Sequence, residues 1–181
     1  MNMNLLGFII QSAIDDRPLK EFFGSDYQSY YDVINMLSYD SPDGLFVELG
    51  VEKGRGCLSA LLANKRNVIG IDHTKQIEIQ NIESDYPSFT FLHQDSLPPS
   101  KEIKDEKIAI LHIDTEHSFS MARGEFQEYE PYLIDRAVVL FDDLHAADNG
   151  VMEFFSSLPY PKIQDDRLHP NCGYGVMLYV K

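Results

Sequence analysis

Five short apolar runs recur along the 181-residue chain: LFVELG (45–50), NVIGID (67–72), FTFLHQD (89–95), IAILHID (108–114) and AVVLFDD (137–143). They constrain the fold more than any other feature. Each is nearly continuous in apolar and β-branched residues instead of alternating with polar ones. That pattern belongs to strands covered on both faces, as in a parallel sheet. Helix-like stretches separate the runs, clearest in GCLSALLANK (56–65) and SMARGEFQEYEPYL (120–133). Such alternation predicts an α/β fold, a three-layer sandwich with right-handed crossovers.

The two ends read differently. NGVMEFFSSL (149–158) is a last helix, and the segments around KIQDDRL (162–168) and GVMLYVK (175–181) form an antiparallel hairpin joined by HPNCGYG. The first 44 residues look helical, with Tyr27, Tyr30, Tyr31, Ile34 and Leu37 spaced as a core-packing stripe. KEIKDEK (101–107) reads as a solvated loop or helix. No linker, repeat or low-complexity tract divides the chain. The expectation is a single domain over 1–181, with a helical cap (1–44) on a core of 45–181.

Fifteen Lys+Arg face 29 Asp+Glu, a net charge of -14. Nucleic-acid binding needs a basic face, so that class of partner is set aside; an acidic protein suits cations. Cys57 and Cys172 offer neither a disulfide framework nor metal-ligand spacing, and read as free thiols of a reducing compartment. LLGFII (5–10) is too short for a membrane span and lacks the features of a secretory signal. A cytoplasmic protein without a membrane partner is expected.

Four of the five runs end in acid: Asp72, Asp95, Asp114 and the pair Asp142–Asp143. The first carries Glu48 two residues before its end. In open α/β sheets ligands bind outside the carboxyl ends of strands. One such acid caps a helix or faces water; the whole succession indicates a site. The first run leads into VELGVEKGRG (47–56), a glycine-containing turn shared by dinucleotide-binding and S-adenosylmethionine-binding folds. A GxGxxG fingerprint needs its second glycine where a pyrophosphate approaches the helix, and counting from Gly50 that place is Glu52. A carboxylate there repels phosphate but suits a sulfonium and an ammonium. Asp72, 22 residues after Gly50, is placed to accept ribose hydroxyls of either cofactor. Glu48, Gly50, Gly54 and Asp72 together read as a cofactor site, with Glu48 serving the loop through its backbone or lying near the ammonium. Asp95–Ser96 either reach the adenine edge or form a turn or helix cap.

The fourth and fifth runs are expected as neighbours, which brings Asp114 near Asp142 and Asp143. Three ionised carboxylates without a partner are strongly unfavourable together. A hard divalent cation such as Mg²⁺ or Ca²⁺ resolves the conflict; the alternative is a helix cap followed by a solvated acid. His117 leans toward the site, His145 reads at least equally as a loop residue, and His112 as a core histidine. His73 is open as a cofactor contact.

The segments ELGVEKGRG, IGIDHT, HQDSL, HIDTEHSFSMARGEFQEYEPYL and VVLFDDLH resemble class I S-adenosylmethionine-dependent methyltransferases. More narrowly, they resemble the family of small metal-dependent sugar O-methyltransferases (macrocin O-methyltransferase-like). The resemblance covers roughly residues 45–158. It implies a Rossmann-like, mostly parallel seven-stranded sheet of order 3-2-1-4-5-7-6, and a cofactor site that includes Asp114. It implies Mg²⁺ on Asp114, Asp142 and Asp143, whose separations of 28 and 29 residues fit the family pattern. Glu116 matches the family's proposed general base, and His117 stands beside it as a second catalytic candidate. The chain departs from that family at Glu52, at IDRAVV (134–139), which lacks paired glycines, in its short N-terminal region and in showing no obvious lid insertion after the fifth strand. The expected activity is methyl transfer to a hydroxyl of a small molecule: a sugar, a polyol or a catechol-like compound. The rivals are a non-catalytic, methyltransferase-like nucleoside-binding protein and an NAD-dependent oxidoreductase. A homo-oligomer is left open.

Overall fold

The central strands β1 (Leu45–Leu49) and β4 (Ile108–Ile113) are buried along their whole length, because both of their side-chain faces are apolar and both are covered. A computed structural model describes residues 1–146 and 150–181. In it β2 (Val68–Asp72) and β3 (Phe89–His93) flank β1, and β5 (Leu133–Phe141) follows β4. Beyond β5 lie β7 (Gly175–Leu178) and then β6 (Lys162–Gln164), which closes the sheet order β3-β2-β1-β4-β5-β7-β6. The first five strands run parallel; β7 is antiparallel to both β5 and β6. The predicted sheet and its terminal hairpin are therefore present.

Eight α-helices complete the described part of the chain: α1 (Met3–Asp15), α2 (Lys20–Phe23), α3 (Ser29–Asp40), α4 (Arg55–Leu62), α5 (Ile77–Asp85), α6 (Lys101–Lys104), α7 (Phe119–Tyr129) and α8 (Gly150–Ser157). Successive strand residues point to opposite faces, so Val138 and Leu140 of β5 join one core while Val139 and Phe141 join the other. The first core holds Leu6 and Ile34 of α1 and α3, Ala60 of α4 and Ile79 of α5; the second holds Ile103, Phe126 and Phe154 of α6, α7 and α8. No helix among the described residues is long and apolar enough to cross a membrane.

Differences from the sequence reading are local. β5 starts at Leu133 instead of residue 137, because Leu133 pairs with Ile108 and Val138 with Ile110, with an irregular stretch between. Arg136 stands there in the left-handed region (φ 63°), the conformation that the missing glycines would have supplied. The fourth and fifth strands end at Ile113 and Phe141, one and two residues short of the runs' acidic ends. α7 stops at Tyr129 and passes through a short 3₁₀ turn, Glu130–Tyr132, into β5. α5 lay in a segment without marked periodicity, and only Ile79 and Ile82 are buried in it. Asn149, expected to open the last helix, lies outside the described residues.

The helical cap is fixed by polar stitches as well as apolar packing. Arg66 donates from Nε to Ser38 O (2.8 Å) and from Nη2 to Ser41 O (3.2 Å), closing the carboxyl end of α3. A cation at that end also complements the helix dipole. In α1, Gly7 has nothing within 4 Å of where a Cβ would sit. Gly7→Ala should therefore stabilise the protein by about 0.5–1 kcal/mol. The gain should be visible as a higher urea midpoint at unchanged slope; an unchanged or lower midpoint would contradict this account of α1.

Candidate functional site

At the carboxyl end of β1 the chain turns at Gly50 (φ 82°), and a Cβ there would lie 1.8 Å from the carbonyl oxygen of Asp114. Only glycine permits this approach, which clamps the first loop against the end of β4. The loop passes Glu52 (φ 46°) and reaches Gly54 (φ 78°), whose left-handed backbone precedes α4. Asp72 closes the loop from β2: its Oδ2 accepts from the N–H groups of Val51 (2.9 Å) and Glu52 (3.0 Å), and its Oδ1 from Thr74 N–H (2.8 Å). These backbone donors are satisfied internally by a carboxylate, so they are not a cradle for phosphate.

Beneath the loop, Glu48 accepts from Cys57 N–H (2.8 Å) through Oε2 and from His112 Nδ1 (2.8 Å) through Oε1. Gly56 makes room for it, since a Cβ there would stand 1.8 Å from Oε1. Glu48 is 2% exposed and His112 fully buried. Burial alone would lower the His112 pKa; the Glu48 hydrogen bond, with Asp114 and Asp142 nearby, holds it above the ordinary value instead.

A cavity of about 850 Å³ opens outside the strand ends. Gly50, Asp72, Asp95, Ser96 and Asp114, five of the predicted cofactor residues, line it. Glu48 and Gly54 do not: the first is spent on the buried pair, and the second packs against Ile79 and Ile82. The expected catalytic candidates Glu116 and His117 line the cavity, as do Asp142 and Asp143. His73 lines it too, whereas His145 is turned away to Asp166 and Gln164. The loop carrying Asp95–Ser96 is held from α7. Buried Glu125 accepts from Ser96 Oγ (2.6 Å) and Thr115 Oγ1 (2.8 Å), while Tyr129 OH donates to Ser96 O (2.8 Å).

The two adjacent aspartates part company. Asp143 takes a left-handed backbone (φ 50°), and Asp142 Oδ1 accepts from both Asp143 N–H (2.8 Å) and His169 Nδ1 (2.6 Å). His169 comes from the hairpin loop, which is pinned to the end of β5 by His145 N–H donating to Cys172 O (2.7 Å) and Leu144 N–H to Gly173 O (3.3 Å). His117 Nε2 stands 3.2 Å from Asp143 Oδ2 and 3.6 Å from Asp114 Oδ1, making a well-formed hydrogen bond to neither. The Asp114 carboxylate beside it, with Asp143 behind, raises the His117 pKa against the opposing effect of burial. Burial and the neighbouring Asp142 push Asp114 itself up to about 6.

Asp114, His117 and Asp143 bring one ligand atom each within 4.8 Å of one another. His117 Nε2 and Asp143 Oδ1 are buried without a hydrogen-bond partner, so the donor set fits a divalent cation. Asp142, expected as the third ligand, lines the same cavity with its Oδ1 engaged by His169. Sequence reasoning missed His169 and Glu125. An acid on the apolar face of α7, between Ala122 and Phe126, marked Glu125; a lone histidine in a turn gave no comparable mark. The aromatic stripe proved to be core and lining at once, since Tyr30 and Tyr31 are buried yet border the cavity.

The methyltransferase-domain family matches residues 47–144, just over half of the chain. No curated protein matches by sequence. Among solved structures, the apo TDP-rhamnose 3'-O-methyltransferase of calicheamicin biosynthesis superposes with a TM-score of 0.65 at 14% identity, covering 98% of this chain and 94% of that one. An O-methyltransferase from Bacillus cereus in complex with S-adenosylhomocysteine gives 0.64 at 14% identity, covering 100% and 92%. A Burkholderia thailandensis 1,6-didemethyltoxoflavin N1-methyltransferase with its substrate and S-adenosylhomocysteine gives 0.62 at 12% identity, covering 98% and 88%. At such identities the likeness is one of fold, and it spans acceptors at oxygen and at nitrogen.

Asp114 supplies a test of the site's electrostatics. Its folded pKa of about 6 lies above the ordinary 3.8, so the folded state holds the proton more tightly and stability falls as pH rises between those values. In metal-free protein at about pH 8, Asp114→Asn should raise stability. The gain should vanish below about pH 4, where the acid is protonated in both states. Thermal melts across that range check it; a gain independent of pH would refute the account.

Proposed function

The chain belongs to the methyltransferase-domain family, and on that premise we propose that it transfers a methyl group from S-adenosylmethionine to a hydroxyl oxygen of a small molecule, assisted by a divalent cation. One observation carries the reading: a single cavity holds both the glycine-loop acids and, beside them, Asp114, Glu116, His117 and Asp143. The half bordered by Gly50, Asp72, Asp95 and Ser96 suits the cofactor. Glu52 at its rim favours a sulfonium and an ammonium over a pyrophosphate. The half bordered by Gln28, Tyr30, Tyr31 and His169 receives the acceptor, a sugar, polyol or catechol-like compound.

The reaction is a displacement at the sulfonium methyl carbon: a C–O bond forms, the C–S bond breaks, and the hydroxyl proton departs. Catalysis of this kind rests on orientation and on deprotonating the acceptor. Glu116 is exposed to the cavity and is the group that accepts the proton. Asp114 and Asp143, with Asp142 behind them, would hold the cation, which when bound acts as a Lewis acid toward the acceptor oxygen. Asp72 keeps the loop closed, and Glu125 keeps Ser96 and Thr115 in place through their hydroxyls.

Calorimetry with S-adenosylhomocysteine and NAD separates this reading from a dinucleotide enzyme. The first should bind and the second should not; the reverse would overturn the proposal. Against a panel of sugars, polyols and catechols, Glu116→Gln should lower turnover about 10²–10⁴-fold while leaving S-adenosylhomocysteine binding intact. Unchanged turnover would remove Glu116 from the mechanism.

A further inference from the structure

Three groups of ligating side chains cluster near the strand ends: Glu48–His112–Asp114, Asp143–His169–Cys172, and Asp114–His117–Asp143. The first is closed to a ligand, because Glu48 and His112 are bonded to each other in the buried layer under the loop. In the second, His169 Nδ1 is engaged by Asp142, and Cys172 does not line the cavity. The third differs on both counts. All three of its members line the cavity, and two of their buried ligand atoms make no well-formed hydrogen bond: His117 Nε2, 3.2 Å from Asp143 Oδ2, and Asp143 Oδ1, 3.5 Å from His169 Nδ1.

We propose that His117 is a metal ligand, and that this nitrogen donor makes the site select a borderline first-row divalent ion, of the Mn²⁺, Fe²⁺, Co²⁺ or Zn²⁺ kind, over Mg²⁺. The inference rests on the reading that this site holds a cation and replaces the all-oxygen set of Asp114, Asp142 and Asp143 expected from sequence. Mg²⁺ favours oxygen ligands and water, whereas imidazole raises affinity for the later transition ions. Asp142 has one oxygen, Oδ1, engaged by His169, and the group whose ligand atoms converge is Asp114, His117 and Asp143. His117 is then not the base, and proton acceptance falls to Glu116 alone.

The test uses the full chain freed of metal and titrated with Co²⁺, whose visible absorption reports its ligands directly. One equivalent should bind with d–d bands, and a hundredfold excess of Mg²⁺ should fail to displace it. His117→Gln, checked for folding by its thermal melt, should weaken Co²⁺ binding by at least about tenfold and alter the bands. Cys172→Ser should change neither. Displacement by equimolar Mg²⁺, or a His117→Gln protein that binds Co²⁺ like the parent, overturns the inference. A strong near-ultraviolet sulfur-to-cobalt band lost in Cys172→Ser also overturns it, by moving the ion to the Asp143–His169–Cys172 group. Titration with S-adenosylhomocysteine in parallel keeps the two readings apart. Cofactor binding without any Co²⁺ binding defeats this inference and spares methyl transfer. An intact Co²⁺ site without cofactor binding supports the inference and defeats methyl transfer.

Discussion

Carboxylates brought together at the ends of parallel strands repel one another, and the arrangement holds because several of them are given partners from elsewhere in the chain. Glu48 of β1 has His112 of β4 and the amide of Cys57; Asp142 has His169 from the hairpin loop; Asp114 and Asp143 only flank His117, at 3.6 and 3.2 Å. Asp72 spends its charge on three backbone N–H groups. These pairings are not equivalent. A fully buried pair such as Glu48–His112 is costly to break, since removing one partner strands the other charge away from water. Asp114 is the least compensated, which is why burial and Asp142 drive its pKa upward.

That gradient of compensation separates scaffold from chemistry. The satisfied acids lie under or within the loops and set their shape. Glu48 anchors the first turn of α4, and Asp72 locks the loop ahead of it. The incompletely satisfied groups, Asp114, His117 and Asp143, face the cavity. A fold that satisfied them internally would gain stability, a trade common at functional sites.

The sheet was legible because its strands are buried on both faces and so are spelled as unbroken apolar runs. Strand order beyond that came through the resemblance, while the hairpin followed from the short HPNCGYG connection. What stayed hidden depends on contacts remote in sequence. Nothing near Asp142 announces that His169, 27 residues later, would take its carboxylate; the two meet only because Leu144 and His145 pair with Gly173 and Cys172. Glu125 ties together two loops that the sequence treats separately. The early start of β5 was obscured by Asp135 and Arg136, exposed residues in an irregular stretch where no alternation can be read.

Helix α3 takes on a definite task in this arrangement. Tyr30 of α3 stacks on Tyr174 at 4.7 Å between ring centroids and lies 5.3 Å from the ring of His169. The cap therefore packs directly against the hairpin segment that delivers His169 to Asp142. Tyr31 lines the same cavity, one residue along the helix. One wall of the cavity is thus built from core aromatics. Such a wall ties the shape of the cavity to the packing of α3, because Tyr30 bears on His169 and His169 holds Asp142.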